Sequence, residues 1–305
     1  MNRVRTITAR ELKRSLDAGQ NRLLLDVQLD EFYEAAHLPH ARNACVYQVV
    51  FVDEVSKLAP NKSTPLIVYG SSARSLASSS AAHKLASAGY RNVLDFRGGI
   101  DEWRKAGFVV EGTSQTPRLP PLSRGTYQVD PNRSMIEWAG RNLANKHHGT
   151  VRVASGKIIV QRGRVTGGQF VIDMASIVNA DIPDKSYAQL LVQHLLSDDF
   201  FDAANHPTAQ FVIAGARPVS HATPGTPNYA IRGRLTIKGI ERSIAFPAMI
   251  GVTAEGDLAA QANFDLDRTR WNVLYGSGRF FENLGKHLVN DLISLQIKLV
   301  ATGRS

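Results

Sequence analysis

The sequence contains a single cysteine, Cys45, among its 305 residues. One thiol cannot form an internal disulfide, and it cannot supply the three or four converging ligands of a cysteine-based metal site. The nine histidines show neither the HxH nor the HExxH spacing, so we expect no metal and no required cofactor. A lone cysteine is most often a small buried hydrophobic residue.

Long apolar segments are also absent. The first ten residues, MNRVRTITAR, lack the apolar core of a signal peptide. No apolar run approaches the roughly 20 residues that a membrane-spanning helix needs. Together with the absence of disulfides, this predicts a cytoplasmic protein.

The chain has no basic tract, although its 36 Lys and Arg outnumber its 27 Asp and Glu and give a formal net charge of +9. Nucleic-acid-binding surfaces cluster basic residues among aromatic ones, so nucleic acid is not a predicted partner. A dispersed positive charge is compatible with a transient contact with an anionic membrane surface. A chain of this length with 43% hydrophobic residues predicts two globular domains.

Apolar strands alternate with helical patterns over residues 1–112. Three continuous apolar runs, at 22–27, 65–70 and 92–96, have the composition of strands buried on both faces. Thr8 precedes a helical pattern as a good N-cap. This alternation predicts an α/β domain with a parallel sheet and flanking helices.

The pattern of apolar residues changes after residue 112. Residues 113–124 contain three prolines and no apolar periodicity, which predicts a linker. From residue 125 to 305 many short runs alternate at period two, and this predicts an all-β barrel or sandwich. One helix is predicted at about 185–198.

Large apolar side chains recur on one face of each predicted strand in 125–305. In a small barrel such side chains either fill the interior or line a ligand cavity, and the pattern leaves both possibilities open. The candidate ligand-binding residues are Ile136, Trp138, Phe170, Ile172, Phe211, Ile213, Leu235, Phe246, Phe264 and Trp271.

Polar chemistry is sparse in this half. His147 and His148 form either a solvated loop pair or hydrogen-bonding groups for a ligand of the barrel. Asp265 and Asp267, with Arg268 and Arg270 beside them, are expected to form a set of surface ion pairs.

The segments LLLDVQLDEFYEAAHLPHARN, VYGSSARS and AGYRNVLDFRGGIDEWRKAG resemble the signatures of rhodanese-like domains. The resemblance covers residues 6–110 and implies sulfur transfer through a cysteine persulfide held in a loop between a strand and a helix. At the position of that cysteine this sequence has Gly70, and no residue of the loop can replace the thiol. The domain is therefore predicted to be non-catalytic, with the degenerate loop Gly70, Ser71, Ser72, Ala73, Arg74 and Ser75 retained as an anion site or docking surface.

Residues 125–302 resemble the YceI-like family. The segments that show this resemblance are YQVDPNRSMIEW, LLSDDFFDAANHPTAQFVI, RGRLTIKGIERSIAFPA and FDLDRTRWNVLYGSGRFFENLGKHLVNDLISLQIKLVA. The resemblance implies a lipocalin-like antiparallel barrel that buries an isoprenoid lipid or an isoprenoid quinone.

The leading hypothesis is a carrier or sensor of such a lipid, in which the rhodanese-like domain binds a protein partner or regulates the barrel. The alternatives are a sulfurtransferase that uses Cys45 and a pure protein-interaction scaffold. A barrel edge also offers a surface for a homodimer.

Overall fold

The computed structural model describes residues 4–115, 117 and 120–303. Within them the chain forms two compact units that divide inside the predicted linker. That linker, 113–124, includes residues 116, 118 and 119, which lie outside the described residues, as do 1–3 and 304–305 of the two predicted domains. The bounds 1–112, 113–124 and 125–305 stay a prediction.

The first unit is an α/β fold around a parallel sheet of five strands, in the order β1-β5-β4-β2-β3. Its elements are β1 (Arg5–Thr6), α1 (Ala9–Asp17), β2 (Leu23–Asp26), α2 (Asp30–Ala35), β3 (Arg42–Asn43), α3 (Phe51–Leu58), β4 (Leu66–Tyr69), α4 (Ala77–Ser87), β5 (Val93–Phe96) and α5 (Gly99–Lys105). Thr8 and Glu11 form the capping box of α1, as the N-cap prediction required.

Helices cover both faces of this sheet. Val68 belongs to a cluster that includes Ala81 of α4, and its neighbour Ile67 belongs to a second cluster that includes Trp103 of α5. Strand β4 is buried along its whole length, which explains why its sequence is apolar without alternation. The predicted α/β class is confirmed.

The second unit is a closed antiparallel barrel. Its elements are β6 (Gly125–Val129), β7 (Met135–Arg141), β8 (Lys146–Gln161), β9 (Arg164–Asn179), α6 (Lys185–Leu196), β10 (Thr208–Pro218), β11 (Tyr229–Ile237), β12 (Ile240–Val252), β13 (Leu258–Asp267) and β14 (Leu292–Gly303). Strands β6 and β7 both pair with β8 and β14, so together they fill one of eight positions around the barrel. The predicted barrel with one short helix is confirmed.

The two ends of the barrel differ. One end carries short turns and loops, whereas the other, called here the mouth end, carries the connections β7–β8, β9–β10, β11–β12 and β13–β14. Helix α6 lies in the second of these connections, and 3₁₀ turns at Arg268–Trp271 and Gly285–His287 lie in the fourth. Strands that run up and down the barrel place these four connections together.

Candidate ligand-binding site

An apolar cavity of about 340 Å³ lies inside the barrel. It falls within the range of roughly 300–1,000 Å³ that small-molecule sites occupy. The side chains therefore line a space and do not fill the interior completely, which decides between the two possibilities left open by the strand pattern. Nine of the ten predicted residues line the cavity: Ile136, Trp138, Phe170, Ile172, Phe211, Ile213, Leu235, Phe246 and Phe264.

Trp271 is the exception, because it is fully buried and does not line the cavity. Its indole N–H donates to the backbone carbonyl of Leu235 at 2.9 Å. Trp271 follows β13 in a 3₁₀ turn, where the alternation of a strand no longer decides which way a side chain points. We therefore remove it from the candidate ligand-binding set.

Four phenylalanines form a row across the cavity wall. The ring centroids of Phe170 and Phe211 are 6.2 Å apart, those of Phe211 and Phe246 5.6 Å, and those of Phe246 and Phe264 4.4 Å. Gly233 of β11 makes room for this row, since a Cβ there would meet Phe211 Cζ at 2.3 Å. The row gives a long apolar ligand a continuous aromatic surface.

Trp138 also faces the cavity, but its hydrogen bonding differs from that of Trp271. The indole nitrogen is buried and finds no hydrogen-bond partner among the described residues. A buried donor without a partner costs about 1–3 kcal/mol. Trp138 thus keeps an unsatisfied donor beside the cavity.

Polar side chains collect where the cavity approaches the mouth end. His147 lines the cavity, and its Nδ1 lies 2.9 Å from Asp181 Oδ2. Asp181 also accepts from the backbone N–H of His148 at 2.8 Å and from Asn179 Nδ2 at 2.7 Å. Partial burial raises the pKa of Asp181, but these hydrogen bonds outweigh it and lower the pKa to about 2. His147 is therefore oriented by a carboxylate, whereas His148 does not line the cavity.

Arg268 corrects the expectation of a surface ion-pair set. Its side chain is 1% exposed, and it donates to the carbonyls of Asn290, Val273 and Val289. Desolvation lowers its pKa from the ordinary value. Arg268 therefore holds the first and last residues of the long β13–β14 connection together.

Helix α6 covers part of the mouth end. Leu191, His194 and Leu195 line the cavity at the i, i+3, i+4 spacing of one helix face. His194 packs edge-on against Tyr275, with ring centroids 4.5 Å apart. Leu190, next to Leu191 in the helix, is 60% exposed. The sequence interpretation missed Tyr275, which lies in the β13–β14 connection and follows no strand pattern.

The degenerate loop of the first unit follows β4 directly. Gly70 is buried, and its carbonyl accepts from Ile100 N at 3.1 Å. The Ser71 carbonyl accepts from Asp101 N at 2.9 Å, so the loop caps the start of α5. Gly99 must be glycine here, because its φ is +57° and a Cβ would lie 2.2 Å from Gly70 O.

Two backbone N–H groups after Ser72 form hydrogen bonds to acceptors within the loop itself. Ser75 N donates to Ser72 O at 3.0 Å, and Ala77 N donates to Ser75 Oγ at 3.2 Å. Ala73 and Arg74 are exposed. Two backbone N–H groups at this end of the loop are thus already engaged, and the anion site or docking surface stays a prediction.

A buried carboxyl group, that of Asp95 in β5, lies beside Ser78 of α4. Asp95 is 3% exposed, and burial raises its pKa while a hydrogen bond with Ser78 acts in the opposite direction. Ser78 N would lie 3.9 Å from a Cβ at Gly70. Cys45 is 1% exposed, in the segment after β3.

Comparison with known protein families agrees with this architecture. A model of the YceI-like domain matches residues 127–301, more than half of the chain. The chain belongs to the YceI-like family. A model of the rhodanese-like domain matches residues 8–106, so the α/β unit is a rhodanese-like domain.

No curated protein sequence matches the chain. Among solved structures, Burkholderia cenocepacia BcnA is 24% identical, with a TM-score of 0.45 over 57% of this chain and 99% of that chain. A polyisoprenoid binding domain from Saccharophagus degradans is 14% identical, with a TM-score of 0.45 over 59% and 100%. A thiosulfate sulfurtransferase from Pseudomonas aeruginosa is 26% identical, with a TM-score of 0.33 over 39% and 22%.

Within the described ranges of the YceI-like and rhodanese-like domains, no three His, Cys, Asp or Glu side chains converge as metal ligands would. In the same ranges, no helix combines the length and the apolar character needed to cross a membrane.

Proposed function

We propose that the YceI-like domain binds and carries an isoprenoid lipid, either a plain polyisoprenoid or an isoprenoid quinone, in its barrel. The cavity carries this proposal, because its wall is apolar over most of its area and contains the phenylalanine row. Burying each CH₂ group of a ligand contributes about 0.8 kcal/mol. A methyl-branched chain that is insoluble in water therefore gains most from such a site.

The distribution of polar groups supports one orientation of the ligand. Apart from Gln261, the far part of the cavity is lined by aliphatic and aromatic side chains, whereas His147, His194 and Tyr275 lie at the mouth end. The isoprenoid tail enters first in this orientation, and the head group stays near the mouth.

Exposed apolar side chains at the mouth end support a transient contact with a membrane. Leu143, in the β7–β8 turn, is 98% exposed, and Tyr187 of α6 is 66% exposed. Phe280 and Phe281 of the β13–β14 connection are also exposed, with Lys286 in the same connection. Aromatic side chains favour the membrane interface, and basic ones favour anionic lipids. This arrangement supports loading of the lipid at a membrane surface.

The rhodanese-like domain has a non-catalytic role in this proposal. Gly70 offers no thiol at the position implied by the family resemblance, and Cys45 is buried. The domain then serves to dock a protein partner or to regulate the barrel, in the cytoplasmic location that the sequence predicts.

Organic extraction of the purified full-length protein, followed by mass spectrometry, tests the proposal. We expect an isoprenoid in stoichiometric amount. Ala262→Phe places a ring inside the cavity, and the matched control Asn263→Phe places the same ring on the exposed face of the same strand. The lipid should be lost from the first variant and kept in the second, with both variants folded by circular dichroism. Wild-type protein that yields no isoprenoid when expressed in cells that make isoprenoids would overturn the proposal.

A further inference from the structure

Helix α6 has one apolar face toward the cavity and a second apolar face toward solvent. Leu191, His194 and Leu195 line the cavity, whereas Tyr187 and Leu190 are 66% and 60% exposed. None of the residues of the helix is buried. A surface helix of a globular protein normally keeps its outer face polar, so the apolar outer face of α6 requires an explanation.

The two ends of α6 are held differently. At the C-terminal end, His194 Nε2 lies 3.3 Å from Asp199 Oδ2, and the His194 ring packs edge-on against Tyr275. Apart from the hydrogen bonds within the helix itself, those that residues 185–190 form with other described residues all go to the N-cap, Asp184. In the part of the chain that the structure describes, the N-terminal half of α6 therefore has no hydrogen bond to the barrel strands and is free to swing outward about its fastened C-terminal end.

The exposed apolar side chains of the barrel unit concentrate at the mouth end. Besides Tyr187 and Leu190, six large ones lie there, in the connections or at the strand ends beside them: Leu143, Val178, Phe280, Phe281, Leu288 and Leu292. Over the described residues of this unit, only Met135 and Val219 are exposed elsewhere. Such a one-sided apolar patch is typical of an interaction surface, and it lies beside the helix that covers the cavity.

The charges around this patch favour an anionic partner. Four exposed basic side chains lie in the segments that carry the patch and form no salt bridge with any described residue: Arg141, Lys146, Lys185 and Lys286. The carboxylates of the same segments are Glu282 and Asp184, and Asp184 accepts hydrogen bonds as the N-cap of α6. Helix α6 itself contains no Asp or Glu. Exposed aromatic and apolar side chains flanked by basic ones match the interface of an anionic membrane.

We infer that α6 is a lid over the cavity and that contact with an anionic membrane opens it. When the N-terminal half of the helix swings outward, Tyr187 and Leu190 pass from water into the membrane interface, and Leu191 leaves the cavity wall. The burial of two exposed apolar side chains offsets the contacts that Leu191 loses, so the membrane favours the open state over the closed one. This inference rests on the proposed function and adds to it the event that releases or admits the lipid.

Transfer of a bound probe to vesicles tests the inference with the full-length protein. Retinol, a fluorescent isoprenoid alcohol, is bound to the delipidated protein, and its release is followed after vesicles of phosphatidylcholine with about 30% phosphatidylglycerol are added. We expect the release rate to rise with vesicle concentration to a maximum. Vesicles of phosphatidylcholine alone should accelerate release less, because they offer no negative charge to the basic side chains at the mouth end.

A double variant, Tyr187→Gln with Leu190→Gln, separates opening of the lid from docking of the mouth end. Glutamine keeps the helix propensity, and neither position lines the cavity, so retinol affinity without vesicles should stay within about two-fold of wild type. The maximum release rate should fall about five-fold or more, because the open lid gains less from the membrane. Leu143→Gln is the matched control outside α6, at a side chain that is 98% exposed. It should require more vesicles and still reach the wild-type maximum.

The outcomes distinguish the lid from the lipid-binding barrel. The same maximum rate in wild type and in the α6 double variant would overturn the lid and leave the barrel as a binding site, as would release from vesicle-bound wild type that is no faster than release in solution. Equal acceleration by the two kinds of vesicle would overturn the anionic membrane as the partner. If the wild type takes up no isoprenoid probe at all, the proposed function fails and the lid fails with it.

Discussion

Trp271 donates its indole N–H to the carbonyl of Leu235 at 2.9 Å, and this contact ties the turn after β13 to strand β11. Both partners are buried. Trp271→Phe should therefore lower the free energy of unfolding by about 1–3 kcal/mol, because it removes this hydrogen bond and part of a packed ring. Urea unfolding of the full-length protein measures this loss. Trp138→Phe is the matched comparison and should cost less, since its N–H has no partner to lose; an equal or larger loss there would contradict this explanation.

Gly233 is required by the phenylalanine row and not by backbone conformation. A Cβ at this position would lie 2.3 Å from Phe211 Cζ and 2.5 Å from Val212 O. Gly233→Ala should destabilise the barrel by about 1–3 kcal/mol through overpacking and should reduce the amount of co-purifying lipid. Gly251→Ala, in neighbouring β12, is the control, because a Cβ there meets nothing within 4 Å. Similar thermal stability of the two variants would show that Phe211 moves aside at no cost.

Asp26 gives the rhodanese-like domain a specific pH dependence. Burial raises the pKa of Asp26 from 3.8 to about 6, against the opposing hydrogen bonds with Gln28 and Tyr69. The unfolded chain loses this proton near pH 4, but the folded chain keeps it until about pH 6. Stability from this group is present below pH 4 and is lost as the pH rises to 6. At about 1.4 kcal/mol per pKa unit, the loss is about 3 kcal/mol.

Asp26→Asn should remove this loss of stability with rising pH. We expect the variant to gain stability over wild type between pH 4 and pH 6 and to keep the gain above pH 6, as followed by urea unfolding at a series of pH values. Asp30→Asn changes an exposed carboxylate at the start of α2 and is the control. If the free energy of unfolding depends on pH in the same way in wild type and Asp26→Asn, the raised pKa of Asp26 is refuted.

Gly70→Cys should restore a thiol that accepts sulfur. A Cβ at this position would lie 3.4 Å from Ala77 Cβ and 3.9 Å from Ser78 N, which is ordinary contact. Proximity to the start of α4 favours the thiolate, although buried Asp95 opposes it. In a Cys45→Ala background, the thiolate introduced by Gly70→Cys should attack the outer sulfur of thiosulfate, break its S–S bond and release sulfite. The resulting persulfide should add one sulfur atom to the intact mass.

The Cys45→Ala variant by itself is the matched control and should gain no sulfur. If the wild-type protein gains sulfur and the Cys45→Ala variant does not, the result would instead support sulfur chemistry at Cys45. An unmodified Gly70→Cys protein with correct fold would show that the loop has lost more than its nucleophile.

Much of the fold was predictable because it follows from local patterns. Uninterrupted apolar runs separated by helices specify a parallel sheet, as at Leu66–Tyr69, and period-two runs specify strands with one inward face, as at Phe170 and Ile172. Nine candidate residues line the cavity for this reason. The pattern fails outside strands, and Trp271 and Arg268 in a 3₁₀ turn are the two residues whose environment it misjudged.

Residue type and spacing along the chain are enough to predict the two fold classes, the inward faces of the strands and the absence of a thiol at position 70. The cavity in the barrel, the burial of Arg268 and the different hydrogen bonding of Trp271 and Trp138 became visible only in the folded chain. These properties depend on which strands meet and in what register, and residues far apart in sequence set them together.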